Sequence, residues 1–451
     1  MKVLVIGAGE VGWHIAARLV REKVEVTLVD RDKDRLDQAA ETMDLRVVLG
    51  MGADPGTLGA AGLAEADLLV AVTSSDSTNI LACRLAQLLA PPETKRLARI
   101  RSLSFFDFFD EERFRNELGI DFLINPSFEA VETIMDFIRF PGVTDVIEVA
   151  RGRLHLVGLK LPRGHPLLNK PLAKIQAEGR PGVLLAAINR HHRLLVPKGD
   201  SVLKAGDLIY AAATAADADK VRAFFGLPKD PVRRVTIIGG GEMGYHLARR
   251  LSADPREFKV TLIEKDQHRC EHLSQRLPGT MIIWGDGTDQ ELLMEENAGE
   301  ADAFIALSTD DEKNLISCLV AKRLGAGQTI TRVNRSSYAP LVAAIGLGAM
   351  VSSRMAAARG VLKYLRRVIS VAALISEDAE IIEFQVPDRS PLAGKKLMDV
   401  KFPEGALATA LSRGEEVIVP RGGTAVEAGD ILAVVAKPEA IRAVEKLLGI
   451  K

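Results

Sequence analysis

Gly7, Gly9 and Gly12 sit in a G-x-G-x-x-G turn, Gly7-Ala8-Gly9-Glu10-Val11-Gly12. An apolar run at 3–6 precedes it, and helical spacing at Val11, Ile15, Leu19 and Val20 follows. Glycines in this pattern can hold a phosphate. The first permits a tight turn, the second lets an anion approach the backbone with no Cβ in the way, and the third allows helix to pack closely on strand. The helix N-terminus adds N–H donors. A second strand over 24–29 ends on Asp30. A carboxylate there would accept hydrogen bonds from both ribose hydroxyls and repel a 2′-phosphate, which favours NAD or an adenine nucleotide over NADP.

The same chemistry is written twice. Gly239-Gly240-Gly241-Glu242-Met243-Gly244 restates the turn at an offset of 232 from Gly7 to Gly239, and Glu264 takes the place of Asp30. Further on, EADLLVAVTSSDSTNILAC, ending at Cys83, returns as EADAFIALSTDDEKNLISC, ending at Cys318. Thr73-Ser74 and Ser308-Thr309 end the fourth strand of each copy, at the carboxyl edge where open α/β sheets bind ligands. Arg99 and Arg332 end the fifth strand on that edge, where they could neutralise a phosphate. Asn79 and Asn314 begin the next helix, as caps or as ligand contacts.

Groups that would carry catalysis are missing from the pattern. None of Tyr210, Tyr245, Tyr338 and Tyr364 begins a Tyr-x-x-x-Lys pair, and His191-His192 reads as a solvated turn. His14 and His246 occupy matching places in the first helical turns, as packing or surface residues or as contacts to a phosphate or subunit. His268 and His272 have zinc-compatible spacing without a third ligand, and Cys83 and Cys318 read as core. Glu377, Asp378 and Glu380 form an acidic turn that could meet a divalent cation but reads as solvated.

The elements that must position these residues alternate. Strands are predicted near 46–49, 68–72, 96–100 and 121–124, and helices near 33–42, 76–89 and 126–139: a Rossmann-like, doubly wound parallel sheet. Short alternating strands at 146–149, 154–159, 183–188 and 208–211 follow, then a helix over 217–225, the pattern of a small α+β domain. A linker reads at 226–232 and a helix at 354–367. VPKGDSVLKAGDLIYAAA at 196–213 recurs as VPRGGTAVEAGDILAVVA at 419–436, with Gly206-Asp207 and Gly429-Asp430 as turn chemistry. Four domains are therefore expected, at 1–140, 141–227, 228–367 and 368–451. The chain of 451 residues is 47% hydrophobic, ample for several cores, and its formal net charge of −1 with mixed signs argues against nucleic acid as a partner. No apolar run approaches the roughly 20 residues of a membrane span. With no signal-peptide pattern and three scattered cysteines, a reducing cytoplasm fits best.

GAGEVG, Asp30, VTSSDSTN and LARIRS, in that order and followed by a small β-rich domain, resemble the RCK/KTN family, and within it the tandem TrkA-type regulatory subunits of Trk potassium uptake systems. The resemblance spans 1–451. It implies KTN domains that bind NAD(H) or ATP/ADP, each followed by a TrkA-C domain. It also implies a homo-oligomer, a tetramer with a ring of eight RCK units, lying on the inner face of the membrane beneath a TrkH- or TrkG-type channel subunit. Carried over by position, Gly7 to Gly12, Asp30, Thr73, Ser74 and Arg99 would line the first site. Gly239 to Gly244, Glu264, Asp286, Thr309 and Arg332 would line the second. The two differ: Gly285-Asp286 offers the adenine a carboxylate where the first copy has Gly50-Met51, and Arg101 of the first copy is replaced by Asn334. The implied function is a non-enzymatic nucleotide sensor that gates a potassium transporter. An NAD-dependent oxidoreductase and a soluble nucleotide or metabolite sensor without a membrane partner are the alternatives.

Overall fold

The computed structural model describes residues 1–21, 23–102, 105, 111–149, 153–161, 163–177, 183–190, 193–214, 218–227, 231–254, 256–353, 356, 361, 373–376 and 379–450. His191-His192, most of the helix expected at 354–367, and Glu377 and Asp378 lie outside them.

Strands β1 (Lys2–Ile6), β2 (Glu25–Asp30), β3 (Arg46–Leu49), β4 (Leu68–Ala71), β5 (Lys95–Arg99) and β6 (Phe122–Ile124) form a parallel sheet in the order β3-β2-β1-β4-β5-β6. Val3 to Ile6 are buried because helices cover both faces, which is why the strand reads as an unbroken apolar run. The strand order reverses between β1 and β4, and the glycine turn leaves β1 at that switch point. Polar caps begin the helices: Asp32 accepts from Arg35 N–H, Ser75 from Thr78 N–H, and Asn125 from Ser127 and Phe128 N–H, the last with Pro126 next to the cap.

Strands β7 (Asp145–Val149), β8 (Leu154–Lys160), β9 (Leu184–Arg190), β10 (Arg193–Leu195) and β11 (Leu208–Ala213) build the first small sheet, antiparallel, in the order β10-β9-β11-β8-β7. The plan then repeats. The second parallel sheet, β14-β13-β12-β15-β16-β17, is made of β12 (Arg234–Ile238), β13 (Lys259–Glu264), β14 (Thr280–Trp284), β15 (Ala303–Ala306), β16 (Gln328–Arg332) and β17 (Ala349–Val351). The last sheet, β18-β19-β22-β20-β21, comprises β18 (Ala373–Ser376), β19 (Ala379–Gln385), β20 (Ala406–Arg413), β21 (Glu416–Ile418) and β22 (Ile431–Ala436).

The small domains share a buried fork that explains their Gly-Asp turns. Arg190 donates to both carboxylate oxygens of Asp207 at 2.8 and 2.7 Å, and Arg413 to those of Asp430 at 3.0 and 2.9 Å. Both aspartates are buried, and the preceding glycines take φ of +88° and +84°. These turns are structural, as their sequence indicates.

The units are not separate beads. Helix Pro126–Arg139 leaves the first parallel sheet and buries Ala130, Val131, Ile134 and Phe137 in a core shared with Leu247 and Leu251 of the second unit. Each such fully buried large side chain contributes about 1.5–3 kcal/mol. In return, Val361, from the chain after β17, packs in the core of the first unit. Arg250 pairs with Glu132 across this contact, and the His246 ring lies 4.3 Å from that of Phe128. His246 is thereby a packing residue of the interface, whereas His14 is exposed.

Candidate functional site

The first and third glycines of each turn leave no room for a side chain. A Cβ on Gly12 would stand 1.7 Å from the Gly7 carbonyl oxygen, and one on Gly244 would stand 2.0 Å from that of Gly239. Gly7 and Gly239 have φ of +107° and +95°, and a Cβ on them would lie 3.1 and 3.0 Å from the backbone of Thr73 and Ser308. Turn and fourth-strand end are therefore in contact in both units. The carboxylate after the second strand closes the turn: Asp30 Oδ2 accepts from Ala8 N–H at 2.6 Å, and Glu264 Oε2 from Gly240 N–H at 2.7 Å. The other oxygen accepts from Asp32 or Asp266 N–H. Glu264 is 8% exposed, so its charge is held by backbone dipoles at the wall of the site.

In the second unit a cavity of about 640 Å³ opens over this turn. Gly239, Gly241, Glu242, Met243, Glu264, Asp286, Thr309 and Arg332 all line it. Gly240 and Gly244 do not line it; they act on the turn itself, through the Glu264 hydrogen bond and the close approach to Gly239 O. Asp286 Oδ1 accepts from the N–H and hydroxyl of Thr288 at 2.9 and 2.7 Å, and Oδ2 lies 3.2 Å from Lys313 Nζ. These Thr288 hydrogen bonds, helped by Lys313, pull the Asp286 carboxyl down to about 2. The carboxylate keeps its charge at any physiological pH. Arg269 Nε donates to Gly240 O at 2.7 Å, and the Arg332 guanidinium lies 3.4 Å from Ser308 O and Ser353 Oγ.

In the first unit Gly7, Asp30 and Thr73 come together as described, and Glu10 is exposed. Arg99, grouped with the first set from its sequence position, lines the second-unit cavity, along with Arg101 and the Pro126-Ser127 turn. Ser74 supplies its carbonyl oxygen to the Arg101 guanidinium.

Asn79 and Asn314 correct an expectation. The caps are Ser75 and Asp310. Asn79 is fully buried and instead ties two strand ends together: it accepts from Thr73 N–H and Oγ1 at 2.9 and 2.7 Å and donates to Arg99 O at 2.8 Å. Asn314 does the same between Ser308 and Arg332 O. With its amide consumed by backbone, it is a brace for the ligand edge. Cys83 and Cys318 are buried, their thiols pushed up by burial, that of Cys318 to about 12. His268 and His272 are exposed while Cys270 between them is buried, so the three do not converge. Among the described residues no helix is long and apolar enough to cross a membrane.

Ser127, Arg269 and Lys313 join the cavity without having been singled out from the sequence, in which Arg101 stands out only as a difference between the two copies and not as a member of the second site. Arg269 and Lys313 carry no spacing signal, and Arg101 and Ser127 come from the other unit.

The TrkA-N domain model matches residues 3–126 and 235–353, and the TrkA-C domain model matches 156–226 and 381–449. The chain is 35% identical to the Trk system potassium uptake protein TrkA of Halomonas elongata, covering 99% of this chain and 98% of that one. It is also 35% identical to the Vibrio alginolyticus protein of that name, over 95% and 94% of the two chains. Among solved structures, the GsuK RCK domain shares the fold over 100% of this chain and 95% of that one, at TM-score 0.59 and 19% identity. The GsuK channel bound to NAD matches over 100% and 79%, at TM-score 0.58 and 18% identity. With both domain models matched twice and curated relatives aligned end to end, the chain belongs to the TrkA family, as a tandem of two TrkA-N and two TrkA-C domains.

Proposed function

We infer that the chain is the regulatory subunit of a Trk-type potassium uptake system, and that nucleotides bound at its two glycine turns bias the gating of a membrane channel subunit. The observation that carries this reading is the carboxylate-closed glycine turn at the switch point of a TrkA-N sheet, present twice and opening in the second unit on a cavity large enough for a nucleotide. NAD(H), ATP and ADP are the ligands proposed. Asp30 and Glu264 would meet the ribose, the turns Gly7–Gly12 and Gly239–Gly244 the phosphates, and Thr73, Ser74, Asp286, Thr309 and Arg332 the rest of the ligand. The domains are placed at 1–140, 141–227, 228–367 and 368–451.

A cytoplasmic chain acting on a membrane partner needs a way to assemble under it. Leu81 and Ile316 hold matching positions on the helices Asp76–Leu89 and Asp311–Leu324, and both are exposed, at 46% and 48%. With Leu88 on the first helix and Leu319 on the second also exposed, at 65% and 38%, each unit carries an apolar strip that supports assembly of several chains into a ring. A nucleotide shifts such a ring only by binding one of its states more tightly.

The test is calorimetric titration with NADH, NAD, ATP and ADP on the wild type, Asp30→Ala and Glu264→Ala, alongside potassium uptake by cells carrying each variant. Site-by-site loss of binding, loss of nucleotide-dependent uptake and no consumption of NADH are expected. Uptake that keeps its nucleotide dependence when Asp30→Ala and Glu264→Ala are combined in one chain would refute the reading, and steady NADH turnover would replace it with an oxidoreductase.

A further inference from the structure

The outer strand of the second parallel sheet is left open. β14 is paired on one side by β13 and, among the described residues, by nothing on the other. Its five residues, Thr280-Met281-Ile282-Ile283-Trp284, carry no charge, no proline and no register shift, the devices that ordinarily keep an edge strand from recruiting another. Alternation sends Met281 and Ile283 to one face and Ile282 and Trp284 to the other. Ile283 shares a core with Leu292 and Leu293 of the helix Gln290–Glu295, and Ile282 packs against the core that holds Leu273. Met281, Trp284 and Met294 stand out, at 62%, 63% and 56% exposed. Trp284 is held although exposed, because its indole N–H donates to Lys265 O at 3.0 Å, so little rotamer entropy is lost when a partner covers it.

The matching edge of the first unit is blunted. Arg46 stands at the place of Met281 and donates to Ala60 O at 2.7 Å, Leu49 replaces Trp284, and Gly59 replaces Met294. Charge separates the two edges further. Residues 285–300 carry six carboxylates and no Lys or Arg, against two carboxylates at 50–65. Of the six, Asp286, Asp289 and Glu300 are engaged within the unit, by Thr288 and Lys313, by the Glu291 N–H and by Arg234. Glu291, Glu295 and Glu296 stand where the first unit has Gly56, Ala60 and Ala61. The open edge thus presents backbone, apolar side chains and a negative rim together.

We propose that β14 receives a short extended segment of the membrane partner, apolar with flanking Lys or Arg, which adds to the second sheet as a further strand. Backbone hydrogen bonds along the edge hold the segment, Met281 and Trp284 cover its side chains from the two faces, and Glu291 and Glu295 meet its cations. This rests on the reading of the chain as the regulatory subunit of a membrane channel. Cytoplasmic segments of membrane proteins are rich in Lys and Arg, so the negative rim complements the partner that this reading supplies. The edge strands of a second copy do not offer such a segment, since β3 carries one Arg and β14 carries no charge. Only the second unit has this surface, so each chain docks at one point.

The experiment measures binding of the full chain to a Trk-type channel subunit in nanodiscs, with thermal melting as a check of folding. Met281→Lys, which puts a charge on the edge and repels a basic segment, should weaken binding by about tenfold or more. Glu291→Gln combined with Glu295→Gln should weaken it by about three- to tenfold and reduce its dependence on salt. Leu49→Lys, on the edge of the first unit, should leave it within about twofold. A benzophenone side chain introduced at Met281 should cross-link to a cytoplasmic segment of the channel subunit, and cross-linking to lipid or to a second copy of this chain instead overturns the proposal. Wild-type affinity in Met281→Lys, or an unchanged salt dependence in the glutamate pair, also overturns it while binding to the channel subunit persists. If Met281→Lys does not fold, the glutamate pair decides. A wild-type chain that does not bind the channel subunit at all overturns the underlying reading as well.

Discussion

The two nucleotide-type units share a backbone and differ at its rim. Gly7 and Gly239 turn the same way, Asp30 and Glu264 close the turns with the same pair of hydrogen bonds, and Asn79 and Asn314 brace the same strand ends. What changes is charge: Asp286 with Lys313 and the incoming Arg101 on one side, Met51, Thr78 and Asn334 on the other. The two copies keep the geometry of a backbone anion site because that geometry depends on Gly12 and Gly244, where a Cβ would strike a backbone carbonyl oxygen, and on a carboxylate that either Asp or Glu can supply. Ligand choice is left to peripheral side chains, which are free to diverge.

If the shared part is as described, equivalent changes should have equivalent effects. Gly12→Ala and Gly244→Ala push a methyl into a backbone carbonyl oxygen that cannot move without shifting the helix. Each should cost about 3 kcal/mol of stability and abolish binding at its own site, read by thermal melting and calorimetry. A mild effect at one of them would break the comparison. Next in size, Asn79→Ala and Asn314→Ala strand buried backbone groups at about 2–3 kcal/mol each. Asn79→Ala should be the worse, because only Thr73 also offers it a hydroxyl. Denaturant titration of both variants checks this.

Asp30→Ala and Glu264→Ala remove both the clamp on the turn and the ribose acceptor, which should weaken nucleotide binding by about 100-fold at the site concerned. Asp286→Asn addresses the divergent part and should have the smallest effect. The folded-state pKa of Asp286 lies below that of an unfolded aspartate, so its contribution is present above about pH 4 and is lost as pH falls toward 2. The variant should flatten that acid limb in melting curves recorded between pH 2 and 5. Met51→Asp should add at most a smaller one, because Ala53 lacks the hydroxyl of Thr288 and Thr78 lacks the charge of Lys313.

Most of the elements were legible in the sequence. Helices 33–42, 76–89 and 126–139 have the bounds that periodicity and Ser, Asp and Asn caps indicate, since both signals are local. The strand at Arg193–Leu195 and the helix at Glu111–Leu118 were not, the first being three residues long and the second bearing little apolar stripe. Asn79 was misjudged because its place near a helix start matches a cap, whereas its partners Thr73 and Arg99 are set by the strand ends of the sheet.

The sequence by itself determined the tandem plan, the two phosphate-type turns, the acidic residue that closes each and the family. Glycine spacing, apolar runs and repetition are properties of neighbouring residues, and any fold that satisfies them must place these groups at a strand's carboxyl end. Only the tertiary structure decided that helix Pro126–Arg139 crosses to the second unit and brings Arg99, Arg101 and Ser127 to its cavity. That outcome depends on which apolar face covers which sheet, a choice made by packing between segments more than a hundred residues apart, on which local spacing is silent.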